Sequence, residues 1–133
     1  MDGSSGNSNA AQPLAGDTPL VDWKVAEEVV GGDRELLYQV VDAFLQEAPQ
    51  QMAALRKAIA AAEAVNVRRA AHTLKGSLRY FGVRSAYELA FQLEQAGQTG
   101  DLSPSAAIVE PLESALSQVL SELRSFHARG GAS

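Results

Sequence analysis

Apolar residues recur at steps of three and four along most of this chain, the spacing of one buried helix face. The longest run is Leu37, Val41, Phe44, Ala48, Met52, Leu55, Ile59 and Ala62. Asp33, just ahead of it, can accept hydrogen bonds from the first free amides and predicts where that helix starts. The period passes Pro49 without a change of phase, which predicts one long helix kinked at the proline, not two helices. Val67, Ala71, Leu74, Leu78 and Phe81 predict a helix over residues 66–81, ended by Gly82. Ala86, Leu89, Leu93 and Ala96 predict the next, opened by the capping-box pair Ser85 and Glu88 and ended by Gly97 and Gly100. Ser103 as cap and Pro104 as first residue open a last helix, with Ile108, Leu112, Ala115, Val119, Leu123 and Phe126 as its stripe. A short helix over residues 21–30 precedes them all and stops at Gly31-Gly32.

Long amphipathic helices joined by short connections pack as antiparallel neighbours. The predicted fold is therefore all-α, an antiparallel up-down four-helix bundle with a short extra N-terminal helix, over residues 20–127. Residues 1–19 are rich in Gly, Ser, Asn and Ala without an apolar period, and read as a flexible linker or appended residues. Residues 128–133 read as a disordered tail. The 133 residues suit a single domain, and an apolar content of 46% is enough to give it a core.

Charge and residue type then exclude several functions. A net charge of −5 opposes binding along nucleic acid, whose phosphates need a basic face. The absence of cysteine removes disulfides and thiolate metal sites, and fits a cytoplasmic location. Two histidines far apart, His72 and His127, offer no metal cluster, so no metal or cofactor is expected on this chain. No apolar run approaches the roughly 20 residues of a membrane span. Direct membrane contact is not expected, although a larger parent could be anchored in the inner membrane. No nucleotide-binding glycine loop is present, which argues against a complete kinase.

The chemistry concentrates in Arg68-Arg69-Ala70-Ala71-His72-Thr73-Leu74-Lys75-Gly76-Ser77. Helical spacing sets Arg68, Arg69, His72, Gly76 and Arg79 opposite the Leu74 and Leu78 stripe, with Lys75 at the edge. An imidazole is a nucleophile near neutral pH. Lys75, at i+3 from His72, can offset the charge of a phosphoryl group placed on the ring. Gly76 costs the helix about 1 kcal/mol against alanine, and so predicts a need for open space one turn from His72. Arg68, Arg69 and Arg79 add a basic patch that can steer an acidic partner. No carboxylate on this helix is placed to orient the ring, since residues 68 and 76 are Arg and Gly. Trp23 and Tyr80 read as packing residues, and His127 as an ordinary surface histidine.

Ala71-His72-Thr73-Leu74-Lys75-Gly76-Ser77 resembles the signature of histidine phosphotransfer (HPt) domains of multistep two-component phosphorelays. Gly32-Asp33, Glu35-Leu36-Leu37, Phe44-Leu45 and Glu47-Ala48-Pro49 resemble that family's long second helix. Leu93-Glu94 through Gly100-Asp101-Leu102 resembles its fourth helix and the turn after it. The likeness spans about residues 20–127. It implies a carrier, not an enzyme: His72 accepts a phosphoryl group from a receiver-domain aspartate and passes it to another, with Lys75 stabilising charge. The response-regulator receiver domain is the implied partner, and Mg²⁺ is expected on that receiver. Leu78-Arg79-Tyr80-Phe81 stand where small residues are common in the family, which bears on partner choice. The linker-like start points to a hybrid sensor histidine kinase with this module at its C-terminal end. Two other readings are a chemotaxis-kinase-type phosphoacceptor domain and a helical adaptor that binds a receiver without carrying phosphate. The isolated domain is expected to be a monomer.

Overall fold

The computed structural model describes residues 19–130; residues 1–18 and 131–133, which hold nearly all of the expected linker and part of the tail, lie outside the described residues. Five helices follow in order: α1 (Trp23–Val29), α2 (Arg34–Ala60), α3 (Ala64–Tyr80), α4 (Arg84–Thr99) and α5 (Ser105–Ala128). Helices α2, α3, α4 and α5 form a closed ring in which each packs on its sequence neighbour and α5 returns to α2. With connections of a few residues, this is the antiparallel four-helix bundle, and α1 lies against α2 and α3. Trp23 of α1 stacks on Phe126 of α5, with ring centroids 4.7 Å apart.

Local chemistry sets the two N-terminal helix starts. Asp22 accepts from the amides of Lys24 and Val25, and Asp33 accepts from the amide of Leu36. Pro49 lies exposed inside an uninterrupted α2. The core is aliphatic and continuous, from Leu37, Val41 and Leu55 through Leu74 and Leu78 to Leu93, Leu112 and Leu123.

Several boundaries differ from the sequence reading. Helix α4 begins at Arg84 with Val83 as its cap, so Ser85 and Glu88 form no capping box. Burial of Val83 and the left-handed Gly82 (φ +66°) turn the chain earlier than the polar pair does. Gly97 is a buried interior residue of α4, and the left-handed Gly100 closes that helix. Ser103 turns its hydroxyl back to Asp101 Oδ1 (2.7 Å), and Pro104 becomes the cap of α5 in its place. Ala62 leaves the predicted α2 stripe because it takes a left-handed conformation (φ 55°) in the turn that ends the helix. On α5 the buried face is wider than a single stripe. Val109, Leu116 and Leu120 are buried, and Ile108 and Ala115 are half-buried, because α5 packs on both α2 and α4. Leu89 of α4 is likewise half-buried, and Ala90 takes the core position.

Candidate functional site

Helix α3 buries Val67, Ala70, Ala71, Leu74 and Leu78, which turns the opposite face outward. Arg68, Arg69, His72, Gly76 and Arg79 are all exposed, and Lys75 sits at the edge, half-buried. His72 projects into solvent, its side chain 66% exposed.

What surrounds His72 depends on how closely α4 approaches. A Cβ at Gly97 would lie 2.6 Å from the backbone nitrogen of Arg68 and 2.7 Å from the carbonyl oxygen of Ala64. The two backbones are therefore in direct contact at this point, which only glycine permits. One turn along α4 from that contact, Glu94 reaches across to α3. Its Oε2 lies 2.7 Å from His72 Nδ1, and its Oε1 lies 2.7 Å from Lys75 Nζ. Oε1 is buried and has no further partner, so the Lys75 ammonium is its sole compensation. The Glu94 side chain is only 14% exposed. Burial pushes its carboxyl up, but the contacts with Lys75 and His72 outweigh this and hold it below the usual value. Lys75 also lies over the Phe91 ring, 5.2 Å from its centroid, and 6.0 Å from that of Tyr87.

The consequence for the imidazole is a chosen tautomer. An ionised carboxylate only accepts hydrogen bonds, so Nδ1 carries the proton and donates it to Glu94. Nε2 is left with its lone pair, on a side chain that stands mostly in solvent. On its other flank His72 borders an open groove between α2 and α3, lined by Val40, Phe44, Glu47, Gly76 and Tyr80. A Cβ at Gly76 would meet nothing within 4 Å, so the space beside the ring is free.

The sequence-predicted residues do not all fall in one place. His72, Lys75 and Gly76 form a single cluster. Arg69 turns toward α2, near Lys57 and Glu63, while the Arg68 backbone faces Gly97. Arg79 lines a separate cleft with Asp22, Arg84 and Tyr87. Sequence reasoning missed Glu94 as the partner of the ring. His127 is more than a surface residue: it stacks on Tyr38 (4.7 Å) and meets Asp42 Oδ1 at 2.9 Å, tying α5 to α2. Among the described residues no three His, Asp or Glu side chains gather as a metal site, and no helix is long and apolar enough to cross a membrane.

The family model described as Hpt domain matches residues 39–125. The chain belongs to the Hpt domain family. Its role is accordingly histidine phosphotransfer in phosphorelays, that of a phosphocarrier and not an enzyme. The crystal structure of histidine-containing phosphotransfer protein B (HptB) from Pseudomonas aeruginosa PAO1 matches this Hpt domain with a TM-score of 0.76. The two share 21% identity, over 84% of this chain and 97% of that one, a likeness of fold. No curated protein sequence matches this Hpt domain.

Proposed function

We propose that His72 Nε2 is the phosphoacceptor, taking a phosphoryl group from a receiver-domain aspartate and giving it to the aspartate of a second receiver. The observation that carries this reading is the contact of Glu94 with Nδ1 of a ring whose side chain is mostly in solvent, an arrangement that leaves the Nε2 lone pair free. The lone pair attacks phosphorus in line while the bond to the aspartyl oxygen breaks, and the electron pair of that bond stays on the leaving carboxylate. The receiver supplies Mg²⁺, which neutralises charge on the transferring group. This chain supplies the positioned nucleophile and a surface on which the receiver docks. The groove beside His72 and the outward Arg68, Arg69, Gly76 and Arg79 are the proposed docking surface, the arginines steering an acidic partner. A hybrid sensor histidine kinase is the parent favoured by the linker-like composition of residues 1–19. The experiment is transfer from a phosphorylated, Mg²⁺-loaded receiver domain. Label moves to this chain on the proposal, and retention of all label on a panel of receivers by folded protein sinks it.

Two variants separate the parts of the site. Lys75→Ala removes the cation that shares Glu94 with the ring and is expected to slow transfer or shorten the phosphoprotein lifetime about tenfold, the worth of one charge-assisted contact. An unchanged rate and lifetime would take Lys75 out of the mechanism. Gly76→Ala has room for its methyl group and gains helix propensity, so unfolding should become harder by about 0.5–1 kcal/mol. The same methyl narrows the approach to His72, and transfer from the receiver should slow. A variant that is stabilised yet transfers at the full rate would show that the space at Gly76 is not used by the partner.

A further inference from the structure

Phe91 of α4 is a large apolar side chain that stands outside the apolar core and is 37% exposed. What its ring meets is a cation. The Lys75 ammonium lies 5.2 Å from the centre of the Phe91 ring and 6.0 Å from that of Tyr87, one turn earlier on the same helix. Aromatic faces attract an ammonium at these distances. The same ammonium is 2.7 Å from Glu94 Oε1. Tyr87, Phe91 and Glu94 are spaced by four and three residues, so they share one face of α4. Together they draw Lys75 off the outward face of α3 and onto α4, and its side chain is only 19% exposed.

On the reading of His72 as carrier, this placement matters once the ring is phosphorylated. The phosphoryl oxygens on His72 and the Glu94 carboxylate then compete for one ammonium. A phosphoryl group paired with Lys75 is stabilised where it is, and one left unpaired is released more readily. We propose that Phe91, together with Tyr87, is a positioning residue that retains Lys75 on Glu94 and so limits its pairing with the phosphoryl group, which keeps that group easily released from His72. Glu94 Oε1 is buried with no hydrogen-bond partner besides Lys75, so the ammonium leaves only by stranding a carboxylate oxygen. The two ring faces add to the cost of that departure, because they too lose the cation. Phe91 has no place in the core that would account for it otherwise.

Phe91→Ala removes the ring face, and Phe91→Tyr keeps one. Phe91→Ala is made both alone and together with Lys75→Ala. Because Phe91 lies outside the core, its variants should unfold near the wild-type midpoint. Each folded protein is phosphorylated with a small phosphoramidate donor, and loss of phosphoryl is followed by intact mass. The phosphoryl group should persist about two- to fivefold longer in Phe91→Ala than in wild type, the worth of one partly exposed cation–π contact. Phe91→Tyr should match wild type. Added to Lys75→Ala, Phe91→Ala should change nothing, a result that a merely structural role for Phe91 would not give. An equal or shorter lifetime in Phe91→Ala, a lengthening that persists without Lys75, or a Phe91→Tyr protein as long-lived as Phe91→Ala overturns the inference and leaves the carrier reading standing. Failure of folded wild type to take up phosphoryl from either the small donor or a receiver overturns the carrier reading and this inference with it.

Discussion

Gly97→Val is expected to lower the unfolding free energy by about 3 kcal/mol, the upper part of the range for overpacking a well-packed site. The atoms that a side chain would meet are the backbone nitrogen and Cα of Arg68 and the carbonyl of Ala64, all closer than 3.0 Å. Backbone cannot rotate aside as a long side chain can, so α3 and α4 must separate. Separation also withdraws Glu94, one turn away, from His72 and Lys75. Chemical denaturation should show the loss of stability, and phosphotransfer by the protein that remains folded should be impaired. Gly76→Ala, on the same bundle, should change stability in the opposite direction. Equal effects at the two glycines would refute the close approach of α3 and α4.

His72→Gln should abolish phosphoryl uptake while leaving the unfolding midpoint near that of wild type. Glutamine has no nucleophilic nitrogen, and its amide can still donate to Glu94, so the buried carboxylate keeps a partner. His72 contributes little to the core, with two thirds of its side chain in solvent. Uptake that persists in this variant would move the phosphoacceptor elsewhere, and His127, held by Tyr38 and Asp42, would be the next residue to replace.

The helices were legible because each buries one face, and period alone places Leu37, Leu74, Leu93 and Leu123 inside. The outward face of α3 followed from the same rule, and with it the exposure of His72 and the position of Lys75 and Gly76. Glu94 was not legible as a partner of the ring. Period assigns a residue to a face of its own helix but does not fix the register between two helices, and the contact of Glu94 with His72 is a matter of register. Gly97 held the clue. Near the end of an apolar stripe, glycine suggests a helix end, because glycine commonly ends helices. An interior glycine on a buried face signals close approach instead, and places the residue one turn away within reach of the neighbouring helix. The turn residues failed for a related reason: at Ser85 and Ser103 the burial of Val83 and the turn at Asp101 overrode local capping preference.

The central claim is that His72 carries phosphate on Nε2 because Glu94 holds Nδ1. The most direct measurement is to phosphorylate the folded chain with a small phosphoramidate donor and assign the linkage by coupled phosphorus, nitrogen and proton spectra. The account predicts one acid-labile phosphoryl group, bonded to His72 Nε2. A phosphoryl group on Nδ1, or on any residue other than His72, would contradict it.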